Sequence, residues 1–212
     1  MITESMTIHE ALSQLKILDG RITTKINAGK WCVANKHSNV KIDGKSIEDY
    51  KADTKSQYES ITDLIKRRRA IRNALARSNA STTVVIGSEE YFVSEAIEMR
   101  ASGILMKQHL CNSLTSQMNA AQRTVENGNG DKLQKAADDY IINLFGSKEK
   151  VDPDTIKKLR DEYVAKNTVD FIDPIHVADE IRALTAEIDE FVANVDAKLS
   201  VSNAVTTITI SY

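Results

Sequence analysis

Glycine and proline, the residues that punctuate many-stranded sandwiches and barrels, number only eight and two in 212 residues. Their scarcity excludes an all-β fold and points to long, rarely interrupted helices. Aromatic residues are also few, one Trp, six Tyr and four Phe, so the core has to be aliphatic, of the kind that fills helix seams. The two cysteines, Cys32 and Cys111, are too few and too far apart for a disulfide framework or a zinc site, and are expected to be reduced, packed thiols. No stretch approaches the roughly 18 apolar residues of a membrane span. Met1 to Ile17 carries Glu4, His9 and Glu10 where a signal peptide needs an apolar run, so the chain is expected to be made and kept in a cytosol, or packaged from one. Neither sign of charge is in excess: 28 basic against 30 acidic residues give a net of −2, with no global hold on nucleic acid or acidic lipid. What is present, 42% apolar and 27% charged residues, is enough for a real core and excludes disorder as the main state.

Helical periodicity begins early. Thr7-Ile8-His9-Glu10 forms a capping box, followed by Ile8, Ala11, Leu15, Leu18, Ile22 and Ile26 on one seam, with Gly29 where the helix should end. From Lys30 to Lys45 the period fails. Val40-Lys41-Ile42-Asp43-Gly44 reads as a short extended piece and a turn, and Trp31 is expected to plug one end of the helix pair. A second helix starts at the N-cap Ser46 and runs to about Arg77, with Tyr58, Ile61, Ile65, Arg68, Ile71 or Arg72, and Leu75 on its seam. Thr82 to Ile86 and Tyr91-Phe92-Val93 then predict a β-hairpin around a four-residue loop, Gly87 to Glu90. Ile97, Arg100, Ile104, Lys107, Cys111, Leu114, Met118, Ala121 and Val125 continue as a coiled-coil-like seam. Asn127-Gly-Asn-Gly130 reads as an exposed turn. Shorter helices are expected to start at Asp131, acting as a cap, and at Asp152-Pro153. A long one starts at Asp173-Pro174 and carries Val177, Ile181, Leu184, Ile188, Phe191, Val195 and Leu199.

One junction occurs twice. Leu75 to Ile86 and Leu199 to Ile210 share seven of twelve residues, with Ser-Asn-Ala-x-Thr-Thr in both. Each copy reads as a helix ending on Asn79 or Asn203 in a left-handed C-cap, then a β-branched strand. The two helices are expected to run parallel into one small sheet. The fold class is therefore mainly α: an elongated antiparallel helical bundle or coiled coil with a three-stranded β-sheet, hairpin plus Thr206 to Tyr212, at one end. Residues 1–212 are read as a single elongated helical domain with a helical insertion at about 131–173.

Chemical motifs fail on inspection. Gly44-Lys45-Ser46 lacks the upstream glycine of a phosphate loop and reads as a turn plus capping serine. Lys66-Arg67-Arg68-Arg69 with Arg72 is the one dense basic cluster, but consecutive charges on a helix point in different directions. A solvated, salt-bridged helix is favoured over nucleic acid, and Arg68, in the seam, is suited to a carboxylate at a subunit contact. His176, Asp179 and Glu180 share a helical face without complementary ligands, and His9 and His109 stand alone. No catalytic, cofactor-binding or metal residues are assigned, and no cofactor is expected.

Ile8-His-Glu-Ala-Leu12, Leu75-x-x-Ser-Asn-Ala80-x-Thr82, Ile86-Gly87, Val93-Ser-Glu-Ala-Ile97 and Asp196-x-x-Leu-Ser-x-Ser-Asn-Ala204-x-Thr-Thr together resemble a poorly characterised family of helical bacterial and phage proteins, some of which carry the label septicolysin. The resemblance implies an architecture and no active site. Residues Asp131 to Asp173 depart from the simple hairpin of that family. The expected function is a non-enzymatic, oligomeric structural or assembly protein: a bacteriophage virion component of tail, neck or capsid exterior, assembled in the bacterial cytoplasm. The alternatives are a cytolysin-like toxin, as the label implies, or a nucleic-acid-binding assembly factor using Lys66 to Arg72. Expected partners are further copies or other virion proteins, with neither nucleic acid nor a membrane span. The candidate interaction residues are Arg67, Arg68, Arg69, Arg72, Asn79, Asn203, Thr206, Thr207, Ile208, Ile210 and Tyr212.

Overall fold

A computed structural model describes residues 2–146 and 152–212. Most of them are helical, joined by three short antiparallel two-stranded sheets. The chain forms two compact units, one of residues up to Ala101 together with Glu190–Tyr212, the other Ser102–Asp189.

The first unit opens with strand β1 (Thr3–Thr7), which runs directly into helix α1 (Ile8–Ala28). The capping box forms as the sequence indicates: the Glu10 amide donates to Thr7 Oγ1 at 3.2 Å, and the Thr7 amide donates to the Glu10 carboxylate at 2.8 Å. That backbone bond to Thr7 is the main cause of a Glu10 carboxyl held below its usual range. Ile8, Ala11, Leu15, Leu18 and Ile22 are buried, whereas Ile26, one turn further, is exposed. The irregular stretch ends in β2 (Lys41–Ile42) and β3 (Lys45–Ser46), paired around Asp43-Gly44. Both turn residues have positive φ, which suits the Asp-Gly pair. Ser46 caps α2 (Ile47–Ser81) by accepting from the Asp49 amide at 3.1 Å, so Gly44-Lys45-Ser46 is the turn and cap expected.

Helix α2 runs four residues beyond the expected end at Arg77, and neither copy of the repeat ends in a left-handed cap. The amides of Thr82 and Thr206 close the last turns on Ser78 O at 2.8 Å and Ser202 O at 2.9 Å. Asn79 and Asn203 therefore stay helical and half-buried. A β-branched Thr takes the extended cap position and leads straight into the strand.

Strands β4 (Thr83–Ile86) and β5 (Glu89–Phe92) form the expected hairpin, but around a two-residue turn, Gly87-Ser88. Gly87 has φ +62, a backbone conformation that favours glycine, and the Glu190 carboxylate lies against it. Helix α3 (Val93–Glu98) comes next and passes into a π-turn, Met99–Gly103. The expected uninterrupted seam from Ile97 to Val125 is thus broken at the π-turn, with Ile97 exposed before it and Ile104 buried after it.

The three-stranded sheet is not formed. The last strand, β6 (Thr207–Ser211), pairs antiparallel with β1, Thr3 opposite Ser211 and Thr7 opposite Thr207, and the hairpin remains a separate sheet. Pairing with β1 places Ile208 opposite Met6 and Ile210 opposite Glu4. Ile208, Ile210 and Met6 thereby join one core with Ile8, Ala11, Leu15, Leu18, Ile22, Ile71, Ala74 and Leu75. The sequence carries little signal for β1, because its five residues offer one aliphatic side chain, Met6, to the core.

The second unit holds α4 (Ile104–Gly128), α5 (Asp131–Phe145), α6 (Pro153–Asn167) and the start of α7 (Val177–Val205). Helix α4 extends through Asn127-Gly128. The side chain of Asn129 is no loose turn residue: it donates to Val169 O at 2.8 Å and accepts from Val169 N at 2.9 Å. Gly130, not Asp131, occupies the N-cap of α5, and Asp131 lies in the first turn. Asp152 caps α6 as expected, with Pro153 in its first turn. Asp173-Pro174 differs: Pro174 and Ile175 form a turn, His176 has φ +55, and α7 starts at Val177. Asp173 still accepts from the Val177 amide, at 2.9 Å. His176 consequently precedes the helix on which Asp179 and Glu180 lie. Leu133, Ala137 and Ile141 are buried, while Tyr140 stacks on Tyr163 with ring centroids 4.9 Å apart. Lys107 pairs with Glu187 and Arg160 with Asp138.

Candidate functional site

The candidate interaction residues divide by the sheet that β1 and β6 form. Along this ribbon Thr3, Ser5, Thr7, Thr207, Thr209 and Ser211 alternate with the inward-facing Glu4, Met6, Ile208 and Ile210. Ile2 and Tyr212 extend the ladder, each amide donating to the other's carbonyl, at 3.0 and 3.2 Å. Thr206 adds one more rung by accepting from the Ile8 amide at 3.0 Å.

Helix α2 crosses the inner face and brings Arg67 to it. One guanidinium nitrogen donates to Glu4 Oε2 at 2.7 Å and to Gln14 Oε1 at 2.6 Å, and the guanidinium carbon lies 5.9 Å from the centre of the Tyr212 ring. The Tyr212 hydroxyl donates to the other Glu4 oxygen at 2.6 Å. The Glu4 carboxyl is held below its ordinary range, first by the Tyr212 hydrogen bond and then by Arg67. The same bond raises the Tyr212 phenol, since ionising it would place two anions together. The clasp ties both terminal strands to α2.

The neighbouring arginines do not join it. Arg68 forms an ion pair with Asp19 of its own α1, which lowers the Asp19 carboxyl and raises the guanidinium. It therefore has a carboxylate partner within its own chain. Arg69 and Arg72 are exposed, and Lys66 pairs with Asp63 at 2.9 Å. The basic cluster thus splits between internal pairs and solvent, as four directions on one helix require.

A second feature had no sequence signal beyond misplaced apolar residues. Between the end of α1, the segment after it and the first half of α2 lies an open groove of about 720 Å³, lined among others by Ile26, Trp31, Tyr50, Tyr58, Ile61 and Ile65. Trp31 leans over Gly29, whose missing Cβ makes room for the indole, and is 39% exposed instead of plugging the helix pair. Tyr58, expected on the seam, is 62% exposed and Ile65 45%. The α1–α2 seam is closed around Ile71 and Leu75 and open here. Cys32, in the adjoining segment, is exposed instead of packed, and Cys111, half-buried, lies 3.5 Å from Thr185 Oγ1.

No family model matches the chain, and neither a curated protein nor a solved structure is similar to it.

The structure does bring a longer repeat together. Val93-Ser-Glu-Ala-Ile97 comes after β5 as Ile8-His-Glu-Ala-Leu12 comes after β1. The Phe92 amide donates to Glu95 at 2.9 Å, as Thr7 does to Glu10, and the Val93 amide donates to Thr82 O at 2.9 Å, as Ile8 does to Thr206. Val93, Ala96, Ile8 and Ala11 are all buried. The duplicated element is thus a helix, two antiparallel strands and a helix: α2–β4 with β5–α3, and α7–β6 with β1–α1. Among the described residues no group of three or more His, Cys, Asp or Glu side chains is placed to hold a metal ion, and no helix is long and apolar enough to cross a membrane.

Proposed function

We propose that this chain is a non-enzymatic structural or assembly protein that acts by associating with further copies or with other proteins. The observation that carries the reading is the α1–α2 seam, closed at one end and open at the other, where Ile26, Trp31, Tyr58 and Ile65 remain exposed around the groove. A seam that buries its apolar side chains over only part of its length is completed by a partner. A bacteriophage virion, in its tail, neck or capsid exterior, is the setting that the septicolysin-family resemblance favours, with assembly in the bacterial cytoplasm. The inward use of Arg67 and Arg68 supports an internal role for those side chains over nucleic-acid binding.

Light scattering of the full chain at micromolar concentration tests association: a mass of two or more chains is expected, and a strict monomer overturns the homo-oligomeric form. Mass spectrometry of purified particles of the encoding virus tests the setting, and absence of the chain from them removes it. Dye release from liposomes at sub-micromolar protein would instead establish the toxin reading.

A further inference from the structure

We infer that the free edge of β6 pairs antiparallel with β6 of a second copy, about a twofold axis at Thr209. This rests on the association reading above and names the surface and the partner. In an antiparallel ladder alternate residues turn their amides to opposite edges. The residues bonded to β1 are the even ones, shown by the mutual Ile2–Tyr212 bonds and by Ile8 with Thr206. Thr207, Thr209 and Ser211 therefore direct their N–H and C=O groups to the edge away from β1, and all three are exposed. β6 packs on β1 along one edge and on α2 across its inner face.

Natural edge strands are blunted by short length, charge, proline or irregularity. The edges of β5, β1 and β4 each carry one of these. β5 carries Glu89 and Glu90, and its Phe92 amide is occupied by Glu95; the outward amide of Thr7 in β1 is occupied by Glu10. β4 is only four residues long and its turn lies against Glu190. Thr-Ile-Thr-Ile-Ser has no such guard.

The edge is also complementary to itself. With Thr209 opposite Thr209 and Thr207 opposite Ser211, every outward amide and carbonyl finds its counterpart. The outer face continues as neutral Thr/Ser pairs, and the apolar underside continues through Ile208 and Ile210. The product is a four-stranded sheet, β1–β6–β6–β1, which exceeds the size at which a lone ribbon is marginal. Because Glu10 guards the outer strand, the contact closes as a dimer and does not propagate.

The test uses the full chain. In a Cys32→Ser, Cys111→Ser background, Thr209→Cys is expected to cross-link to a dimer with a short bis-maleimide, and Val85→Cys, its counterpart in β4, to stay monomeric. Thr209→Lys, which sets two ammonium groups together on the axis, is expected to weaken the dimer about tenfold or more in sedimentation equilibrium with an unchanged circular dichroism spectrum. Thr209→Val is expected to retain it. A wild-type oligomer that resists Thr209→Lys and leaves Thr209→Cys uncross-linked overturns the β6 contact while association stands. A wild-type monomer overturns the β6 contact together with the homo-oligomeric form of the association reading.

Discussion

The two copies of the helix–strand–strand–helix element match position for position yet close over different chemistry. In each, a Ser-Asn-Ala-x-Thr-Thr junction leads into a strand, and a Glu three residues past the other strand bonds back to its last amide. The α2 position 124 residues before Phe191 is Arg67. Phe191 meets Tyr91 of the hairpin edge-on with centroids 5.6 Å apart, whereas Arg67 meets Glu4 and Tyr212 of the β1–β6 ribbon. One copy covers its sheet with an aromatic pair, the other with an ion pair and a phenol. The hairpin is covalently closed through Gly87-Ser88, so a nondirectional apolar contact suffices to seat it. The β1–β6 ribbon joins strands that are distant in sequence, and its clasp fixes their register through directional bonds.

The equivalence of the two copies is probed most severely at the core. Ile71, fully buried, and Val195, 3% exposed, are equivalent positions in the two copies. Ile71→Ala should cost about 3–4 kcal/mol and Val195→Ala about 2–3 kcal/mol in urea denaturation. Two separate transitions in either variant would show that the copies are not one cooperative unit.

A smaller effect separates the chemistries. Glu4→Gln should cost about 1 kcal/mol at neutral pH, because Arg67 loses its charged partner while part of the hydrogen bonding survives. Glu4 titrates below its ordinary range in the folded chain, so its contribution is complete above the usual glutamate pKa and is lost as pH falls through the depressed value. Melting curves of wild type and Glu4→Gln should therefore converge in acid; a gap that persists there would mean that Glu4 acts through packing.

The smallest effect is expected at Arg69 and Arg72. Their replacement by Gln should change stability by no more than about 0.5 kcal/mol, in contrast to Arg67, which lies within two turns of both on the same helix. A thermal shift as large as that of Arg67→Gln would place them in contacts of their own.

Much of the local structure is legible in the residues. The Thr7–Glu10 box, the α1 seam from Ile8 to Ile22, the Ser46 and Asp152 caps and the hairpin all arise from short-range patterns, because each depends on side chains a few positions apart. The clasp is half legible. Arg67 and Tyr212 stand out as a charged helix residue and a strand residue, but Glu4 has no signal, since its role depends on a pairing between residues some two hundred positions apart.

The sequence alone determined the capped starts of α1, α2 and α6, the apolar face of α1, and that one junction is used twice. Tertiary structure decided the partner of the last strand, the left-handed His176 that delays α7, the π-turn that breaks the long seam, and the seam left open at Trp31 and Tyr58. The physical reason is common to these. A capping bond or an i to i+4 contact is settled within one turn of chain, whereas strand pairing is settled by which neighbour lets both faces complete a shared core. For β6 that neighbour is β1, and there Ile208 and Ile210 share one core with Met6, Ile8 and Leu75.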